Sequence, residues 1–142
     1  MSEILKQTIN FDLVSPEAKL VSGPVKMAVI PGEEGEMGVG AGHSSFIVAL
    51  KPGVVKLYEN DNETPRKIFI AGGFADVTAG NCAVLAEQAI DVASINQAEA
   101  EQAVKAFKEE LALAPDAEKP RVTRALTIAK AKLSAVSGKL VL

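Results

Sequence analysis

The chain is poor in the residues on which most active sites and metal centres depend. Its 142 residues include one cysteine, one histidine and no tryptophan. Cys82 has no partner for an internal disulfide, and Cys82 with His43 cannot supply the four ligands of a common zinc site, so we expect no metal. Any catalytic triad would have to use His43, and the adjacent Ser44 and Ser45 do not by themselves make one. A structural or interface histidine is the favoured interpretation.

Long apolar runs and an excess of basic charge are missing too. No apolar run approaches 18 residues, so no membrane-spanning helix is expected, and residues 1–6 do not resemble a signal peptide. Fifteen basic and eighteen acidic residues give a net charge of −3, which argues against a nucleic-acid binder. Apolar residues make up 48% of the chain, which excludes a disordered protein.

The amino-acid composition and the net charge of the sequence change near residue 95. Ten of the eleven glycines precede it, whereas eleven alanines follow it. Residues 1–95 carry a net charge of −5, and residues 96–142 carry a net charge of +2. Short segments separated by glycine and proline are typical of strands, and alanine-rich charged segments are typical of helices. We therefore predict a β-sandwich domain over 1–90 and a domain of two antiparallel helices over 91–142.

Several segments of the first part have the pattern of strands. In Thr8–Val14, Ile9, Phe11 and Leu13 alternate with polar residues. Val25, Met27 and Val29 predict a second alternating strand, and the apolar run 46–50 predicts a third. Hairpins are predicted around the polar stretch 60–65 and around 79–81. Cys82 falls in one of these strands, as a small core residue.

The second part predicts two helices. Asn96 and Glu99 are spaced like the cap and third residue of a first helix. Pro120 suits the first turn of a second helix, and Gly138 suits its end. The predicted seam between them is mostly alanine, which buries little apolar area. Two alternatives stay open: a hairpin that lifts off as a switch, and one that stays docked.

Two charged segments attract functional interpretations. The glycine-rich stretch 31–43 is not a phosphate loop, because it holds Glu33, Glu34 and Glu36 and lacks a Gly-Lys-Ser/Thr ending. We interpret it as a connection between strands, although its glutamates would suit a basic partner. The second helix is rich in lysine and arginine, either as a solvated face or as a surface for an acidic partner.

The order of these parts resembles a known family. The strongest segments are Pro31-Gly32-x-x-Gly35-x-x-Gly38 followed by Gly42-His43, then Leu50-Lys51-Pro52-Gly53, then Gly72-Gly73-Phe74-x-x-Val77. Together with the helical hairpin, this set resembles the epsilon subunit of F-type ATP synthases, a family that includes the mitochondrial delta subunit. The resemblance runs over nearly the whole chain. It implies a ten-stranded β-sandwich followed by two helices.

The resemblance also implies a function. It predicts a non-catalytic rotor subunit in the central stalk of the proton-translocating ATP synthase, with no cofactor. Its implied partners are the gamma subunit, the c-ring and, when the hairpin is extended, the catalytic alpha and beta subunits. The implied location is the cytoplasmic face of the bacterial inner membrane, reached only through the complex. The extended hairpin of the family can inhibit ATP hydrolysis.

The resemblance implies roles for particular residues, which are assigned by their position in the sequence alone. Glu34, Glu36 and His43 match the family's contact region for gamma and the c-ring. The basic residues of the second helix match a surface that meets an acidic segment of the beta subunit: Arg121, Arg124, Lys130 and Lys132.

Two departures from the family pattern stand out. Some members bind ATP through Ile/Leu-Asp-x-x-Arg-Ala, and here the matching residues are Ile95, Asn96, Glu99 and Ala100. An acid in place of the arginine predicts no tight ATP binding. The second departure is the absence of the proline that usually precedes Gly42-His43. The alternative to a rotor subunit is a free-standing β-sandwich that binds another protein, with a helical interaction tail; an enzyme using His43 has no support in the spacing.

Overall fold

The computed structural model describes residues 7–59 and 64–142. The chain divides into two compact units, the first ending at Ile90 and the second beginning at Asp91. We call them the sandwich unit and the hairpin unit. The first holds the strands, with β10 running on to Asp91, and the second holds the helices, so the predicted fold class is confirmed.

The sandwich unit is built from short strands joined by tight turns. Ten strands lie in the described part of the chain: β1 (Ile9–Val14), β2 (Lys19–Val25), β3 (Met27–Gly32), β4 (Gly35–Gly40), β5 (Phe46–Leu50), β6 (Gly53–Tyr58), β7 (Arg66–Ile70), β8 (Gly73–Val77), β9 (Asn81–Ala86) and β10 (Ala89–Asp91).

The strands form one sheet that folds into two layers. Its order is β10-β7-β6-β3-β5-β8-β9-β1-β2, and β4 pairs with β3 outside this path. The link between β3 and β5 is the single pair Gly32 and Leu50. This narrow link leaves five strands on each side: layer A is β4-β3-β6-β7-β10, and layer B is β5-β8-β9-β1-β2. Within layer B, β1 and β9 run parallel, and none of the described residues between them is helical.

Alternation of side chains fills the space between the layers. Ile9, Phe11 and Leu13 are buried, as the period-two pattern predicts. Cys82 is buried in the same core, which confirms its predicted structural place. The predicted hairpins are also present as the antiparallel pairs β6–β7 and β8–β9. Residues 60–63 of the predicted polar turn lie outside the described residues.

Two strand predictions are wrong. Val25, Met27 and Val29 do not share one strand, because the chain turns at Lys26 between β2 and β3. In β3 the buried residues are Ala28, Ile30, Pro31 and Gly32, whereas Met27 is exposed. The glycine-rich stretch is also more than a connection, since its residues Gly35–Gly40 form β4 and pair with β3 along their whole length.

One glycine position is fixed by close packing. Gly73 begins β8 with φ 144°, and a Cβ placed there would collide with the carbonyl oxygen of Leu85. No side chain fits that gap, and few residues adopt that backbone conformation. Gly73 therefore allows β8 and β9 to pair closely.

The hairpin unit consists of a 3-10 turn (Val92–Ser94) and helices α1 (Gln97–Leu113) and α2 (Lys119–Ser137). The predicted caps are confirmed. Asn96 Oδ1 accepts a hydrogen bond from the backbone N–H of Glu99 at 3.0 Å. Pro120 lies in the first turn of α2, and Gly138 ends the helix in the left-handed conformation with φ 75°.

The prediction of a mostly alanine seam is wrong. Only two of the seven residues that pack between α1 and α2 are alanines; the set is Ala103, Val104, Phe107, Leu111, Leu126, Ala129 and Leu133. Leucine and phenylalanine bury several times the apolar area of an alanine methyl. The two helices therefore hold each other more firmly than the alanine count suggests.

Candidate partner-binding surfaces

The acidic residues of the first predicted surface lie at one end of β4. Glu34 is exposed in the turn between β3 and β4, and the Glu36 side chain is 60% exposed on β4. Glu36 Oε2 lies 3.8 Å from Lys56 Nζ. The turn borders an open groove of about 500 Å³, lined by residues 32–37 and 47–49. The groove is therefore acidic on the side of β4 and apolar on the side of β5.

His43 lies at the other end of β4. It belongs to the loop between β4 and β5, where the N–H of Gly42 donates to the carbonyl of Ala79 at 3.0 Å. The half-buried His43 ring lies 5.1 Å from the Phe46 ring, and its Nδ1 lies 3.1 Å from the carbonyl oxygen of Ser44. Because the six residues of β4 span about 17 Å, His43 does not join Glu34 and Glu36 in one cluster.

Three of the four predicted cations of α2 share one side of the helix. At 100° per residue, Arg121, Arg124 and Lys132 fall within about 80° of one another, and Lys130 lies roughly opposite Arg121. The two arginines are exposed, and the two lysines are half-buried. Lys130 thus lies outside this group, about 120° around the helix from Arg124 and about 160° from Lys132.

Arg121 is already engaged within the hairpin unit. Its Nε donates to Glu118 Oε2 at 2.8 Å, and its Nη2 donates to Glu110 Oε2 at 3.1 Å. The hydrogen bonds to Glu118 and then Glu110 raise the pKa of Arg121. A permanently charged arginine with a fork of donors suits carboxylates, whether from this chain or from a partner.

The segment that matches the ATP-binding pattern serves as a helix start. Asn96 caps α1, Ala100 is buried, and Glu99 is exposed in the first turn. Ile95 follows the 3-10 turn and is half-buried. A carboxylate in the first turn is favourable to the helix but repels a phosphate group. The segment therefore has a structural role that its sequence fully explains.

Cys82 has no features of a nucleophile. It is 1% exposed, and burial, followed by the charge of Asp76, raises its pKa from 9.0 to about 11. The thiol therefore stays protonated at neutral pH. Among residues 7–59 and 64–142, no group of three or more histidine, cysteine, aspartate or glutamate side chains is arranged to hold a metal ion.

Sequence reasoning missed an exposed apolar surface on layer B. Ile47 is 74% exposed, and Phe74 and Leu85 are each 58% exposed. The available signal was an apolar residue at a position where alternation would place a polar one. In 82–86, Leu85 points outward between Val84 and Ala86, which are buried. Of the helices in the described part of the chain, none is long and apolar enough to cross a membrane.

The fold and these surfaces define a class of proteins in which a ten-stranded β-sandwich precedes a helical hairpin. The beta-sandwich domain of the ATP synthase delta/epsilon chain matches residues 8–92. The ATP synthase epsilon chain of Rhodospirillum rubrum is 40% identical over 135 residues, covering 94% of this chain and all of the relative. That of Granulibacter bethesdensis is 48% identical over 93 residues, covering 66% of this chain and 68% of the relative. The chain belongs to the ATP synthase delta/epsilon chain family, which confirms the resemblance.

Solved structures agree with the sequence relatives. A chain in the cryo-EM structure of the Euglena gracilis mitochondrial ATP synthase, OSCP/F1/c-ring, superposes with a TM-score of 0.81 and 25% identity. The match covers 91% of this chain and 81% of that chain. A chain from the central stalk and c-ring structure of the Tetrahymena thermophila enzyme matches in fold, with a TM-score of 0.53 and 13% identity.

Proposed function

We propose that this chain is a non-catalytic rotor subunit in the central stalk of an F-type proton-translocating ATP synthase. One observation carries the proposal: the chain is similar to epsilon chains over almost its whole length, and both of its units occur in the family's order. In this role it binds the gamma subunit and rests on the c-ring. It thereby couples rotation of the ring to the catalytic head. It would lie at the cytoplasmic face of the bacterial inner membrane, held there through the complex.

The two units have different tasks in this proposal. The sandwich unit has a core made entirely of its own residues, between Ile9 and Ala86, which suits a rigid anchor. The hairpin unit contributes regulation by extending toward the alpha and beta subunits and restraining ATP hydrolysis. The opposite net charges of the two parts of the sequence support separate partners for them.

The predicted site residues receive roles accordingly. Glu34 and Glu36 at one end of β4, and His43 at the other, are proposed contacts for gamma and the c-ring. Because about 13 Å of β4, at roughly 3.3 Å per residue, separates Glu36 from the loop that holds His43, they would meet different parts of the partner. The cations of α2 are proposed contacts for the acidic segment of the beta subunit: Arg121, Arg124, Lys130 and Lys132.

Reconstitution tests the anchoring role. An F-type ATPase complex stripped of its epsilon subunit is mixed with the full chain or with residues 1–95, and co-elution on size exclusion is measured. One-to-one binding of both chains is expected. If neither binds a closely matched complex, the chain is instead a free-standing β-sandwich that binds another protein.

The regulatory role needs a separate assay. Removing residues 96–142 should raise the rate of ATP hydrolysis of the reconstituted complex if the hairpin unit inhibits. Circular dichroism of the truncated chain checks that the sandwich unit is folded. An unchanged rate with normal binding would make the hairpin a structural appendage.

A further inference from the structure

The residues that follow α2 turn back along the hairpin unit. Gly138 ends the helix in the left-handed conformation, and this conformation reverses the direction of the chain. The following residues bring Leu142 beside α1, where Lys108 Nζ donates to the carbonyl oxygen of Leu142 at 3.1 Å. This hydrogen bond joins residues that are 34 positions apart along the chain. We call residues 138–142 the latch segment.

The lengths of the two segments agree with a latch segment that runs beside α1. Because the helices of a hairpin are antiparallel, the end of α2 lies near the start of α1. From Gln97 to Lys108, α1 rises about 16 Å at 1.5 Å per residue. The latch segment can span about 17 Å when it is extended. It therefore reaches Lys108 by leaving α2 and following α1 back toward its middle.

The exposure of the latch segment shows which side of it is in contact. Val141 is half-buried, whereas Leu140 and Leu142 are each 83% exposed. Such alternation is typical of an extended segment that lies with one side against a packed surface. Val141 therefore adds apolar burial to the contact, and the hydrogen bond from Lys108 does not act alone.

Lys108 lies on the flank of the seam between the two helices. At 100° per residue, it is about 40° around α1 from Val104 and about 60° from Leu111, and both of these residues pack between the helices. Lys105, by contrast, is about 100° from Val104 and about 120° from Leu111. The latch segment thus runs along one side of the seam, attached covalently to α2 and by its contacts to α1.

This arrangement gives the latch segment a mechanical consequence. We infer that it holds the hairpin unit closed, because α1 and α2 separate only after Leu142 leaves Lys108 and Val141 leaves its packed position. A hydrogen bond from an exposed charged donor shifts an equilibrium by roughly two- to fivefold, so the latch biases opening without preventing it. The stability of the closed hairpin belongs to the chain alone, whereas its consequence for ATP hydrolysis rests on the proposed function.

Hydrogen exchange of the isolated full-length chain tests the latch. Lys108→Met keeps an apolar stem but removes the donor, so the backbone amides of α1 should exchange roughly two- to fivefold faster. Lys105→Met is the matched control, because Lys105 is also an exposed lysine of α1 but faces away from the seam. Its amides should exchange like those of the unmodified chain. Equal exchange in Lys108→Met and the unmodified chain would overturn the latch.

A second variant tests the contact from the other side without altering α1. Val141→Ser removes the apolar burial of the latch segment and should speed exchange of the same α1 amides as Lys108→Met does. Circular dichroism checks that both variants keep the helix content of the unmodified chain. Unchanged exchange of α1 in Val141→Ser would show that the segment is a loose end, and the inference would fail.

Rates of ATP hydrolysis separate the inference from the function on which its consequence rests. In a reconstituted F-type complex, Lys108→Met should inhibit hydrolysis roughly two- to fivefold more strongly than the unmodified chain, because its hairpin opens more readily. Faster exchange with unchanged hydrolysis would keep the latch and overturn the proposed regulatory role. Stronger inhibition without faster exchange would overturn the latch and assign Lys108 a direct effect on the complex.

Discussion

Arg121 joins the two helices of the hairpin unit by donating to Glu110 of α1 at 3.1 Å while it also donates to Glu118 at 2.8 Å. In the proposed function, the same guanidinium binds an acidic segment of the beta subunit. Two acidic groups within the chain therefore compete with an acidic partner for one cation. The inhibitory state would have to release Arg121 from Glu110 before α1 and α2 can separate.

This competition predicts opposite effects of two neutral substitutions. Glu110→Gln should strengthen inhibition of ATP hydrolysis by roughly two- to fivefold, because it weakens the pair that retains Arg121 in the hairpin. Arg121→Gln should weaken inhibition, because the cation is lost from both states. Glu109→Gln, an exposed neighbour on α1, is the control. If both substitutions weaken inhibition alike, the pair of Arg121 with Glu110 supports the inhibitory state and does not compete with it.

Replacing Gly73 or Gly80 by alanine should have contrasting effects on the stability of the sandwich unit. Gly73→Ala places a Cβ against the Leu85 carbonyl at a backbone angle that alanine avoids, and should reduce the free energy of unfolding by roughly 2–4 kcal/mol. Gly80, in the turn between the same two strands, has no heavy atom within 4 Å of an added Cβ. Gly80→Ala should therefore change stability little. Urea unfolding measures both, and equal stabilities would show that β8 shifts freely away from β9.

Cys82 predicts a pH dependence of stability. Burial keeps the thiol protonated to a pKa of about 11 in the folded chain, against 9.0 for an ordinary cysteine. Below pH 9 the thiol is protonated in both the folded and the unfolded chain, so its contribution to stability is fully present. Between pH 9 and about 11 only the unfolded chain loses the proton, so the free energy of unfolding falls. Cys82→Ala lacks this titration. The unfolding free energy of the parent chain should drop relative to the variant across that window, and parallel pH curves would contradict the prediction.

The capped start of α1 predicts weak nucleotide binding. The Asn96 side chain is occupied by its capping hydrogen bond, and the Glu99 carboxylate in the first turn repels phosphate. Isothermal titration should therefore detect no micromolar affinity for ATP. Restoring the family's pattern with Asn96→Asp/Glu99→Arg should increase the affinity. Asn96→Ala serves as a control for helix stability, since losing the cap costs about 1 kcal/mol without adding a cation. Micromolar binding by the unmodified chain would overturn the prediction.

The sequence predicts best where one local rule acts alone. The buried face of β1 follows from alternation, and both ends of α2 follow from Pro120 and Gly138. It fails where strand pairing, and not the pattern within one segment, decides the structure. The residues of β4 include four glycines or charged groups, so their strand state comes from the ladder with β3. The exposed apolar surface on layer B escapes prediction because Ile47 on β5 comes beside the residues of β8 only when these two strands pair.

The parallel pairing of β1 with β9 sets the order in which the sandwich unit can be made. Asn10 and Asn81 face each other although about 70 residues separate them along the chain, and loop closure over that length is slow. During synthesis, β1 and β2 emerge first but wait for β9 before layer B can close. The first strands of the chain are therefore the part that most needs protection from other unpaired edges while the ribosome is still at work.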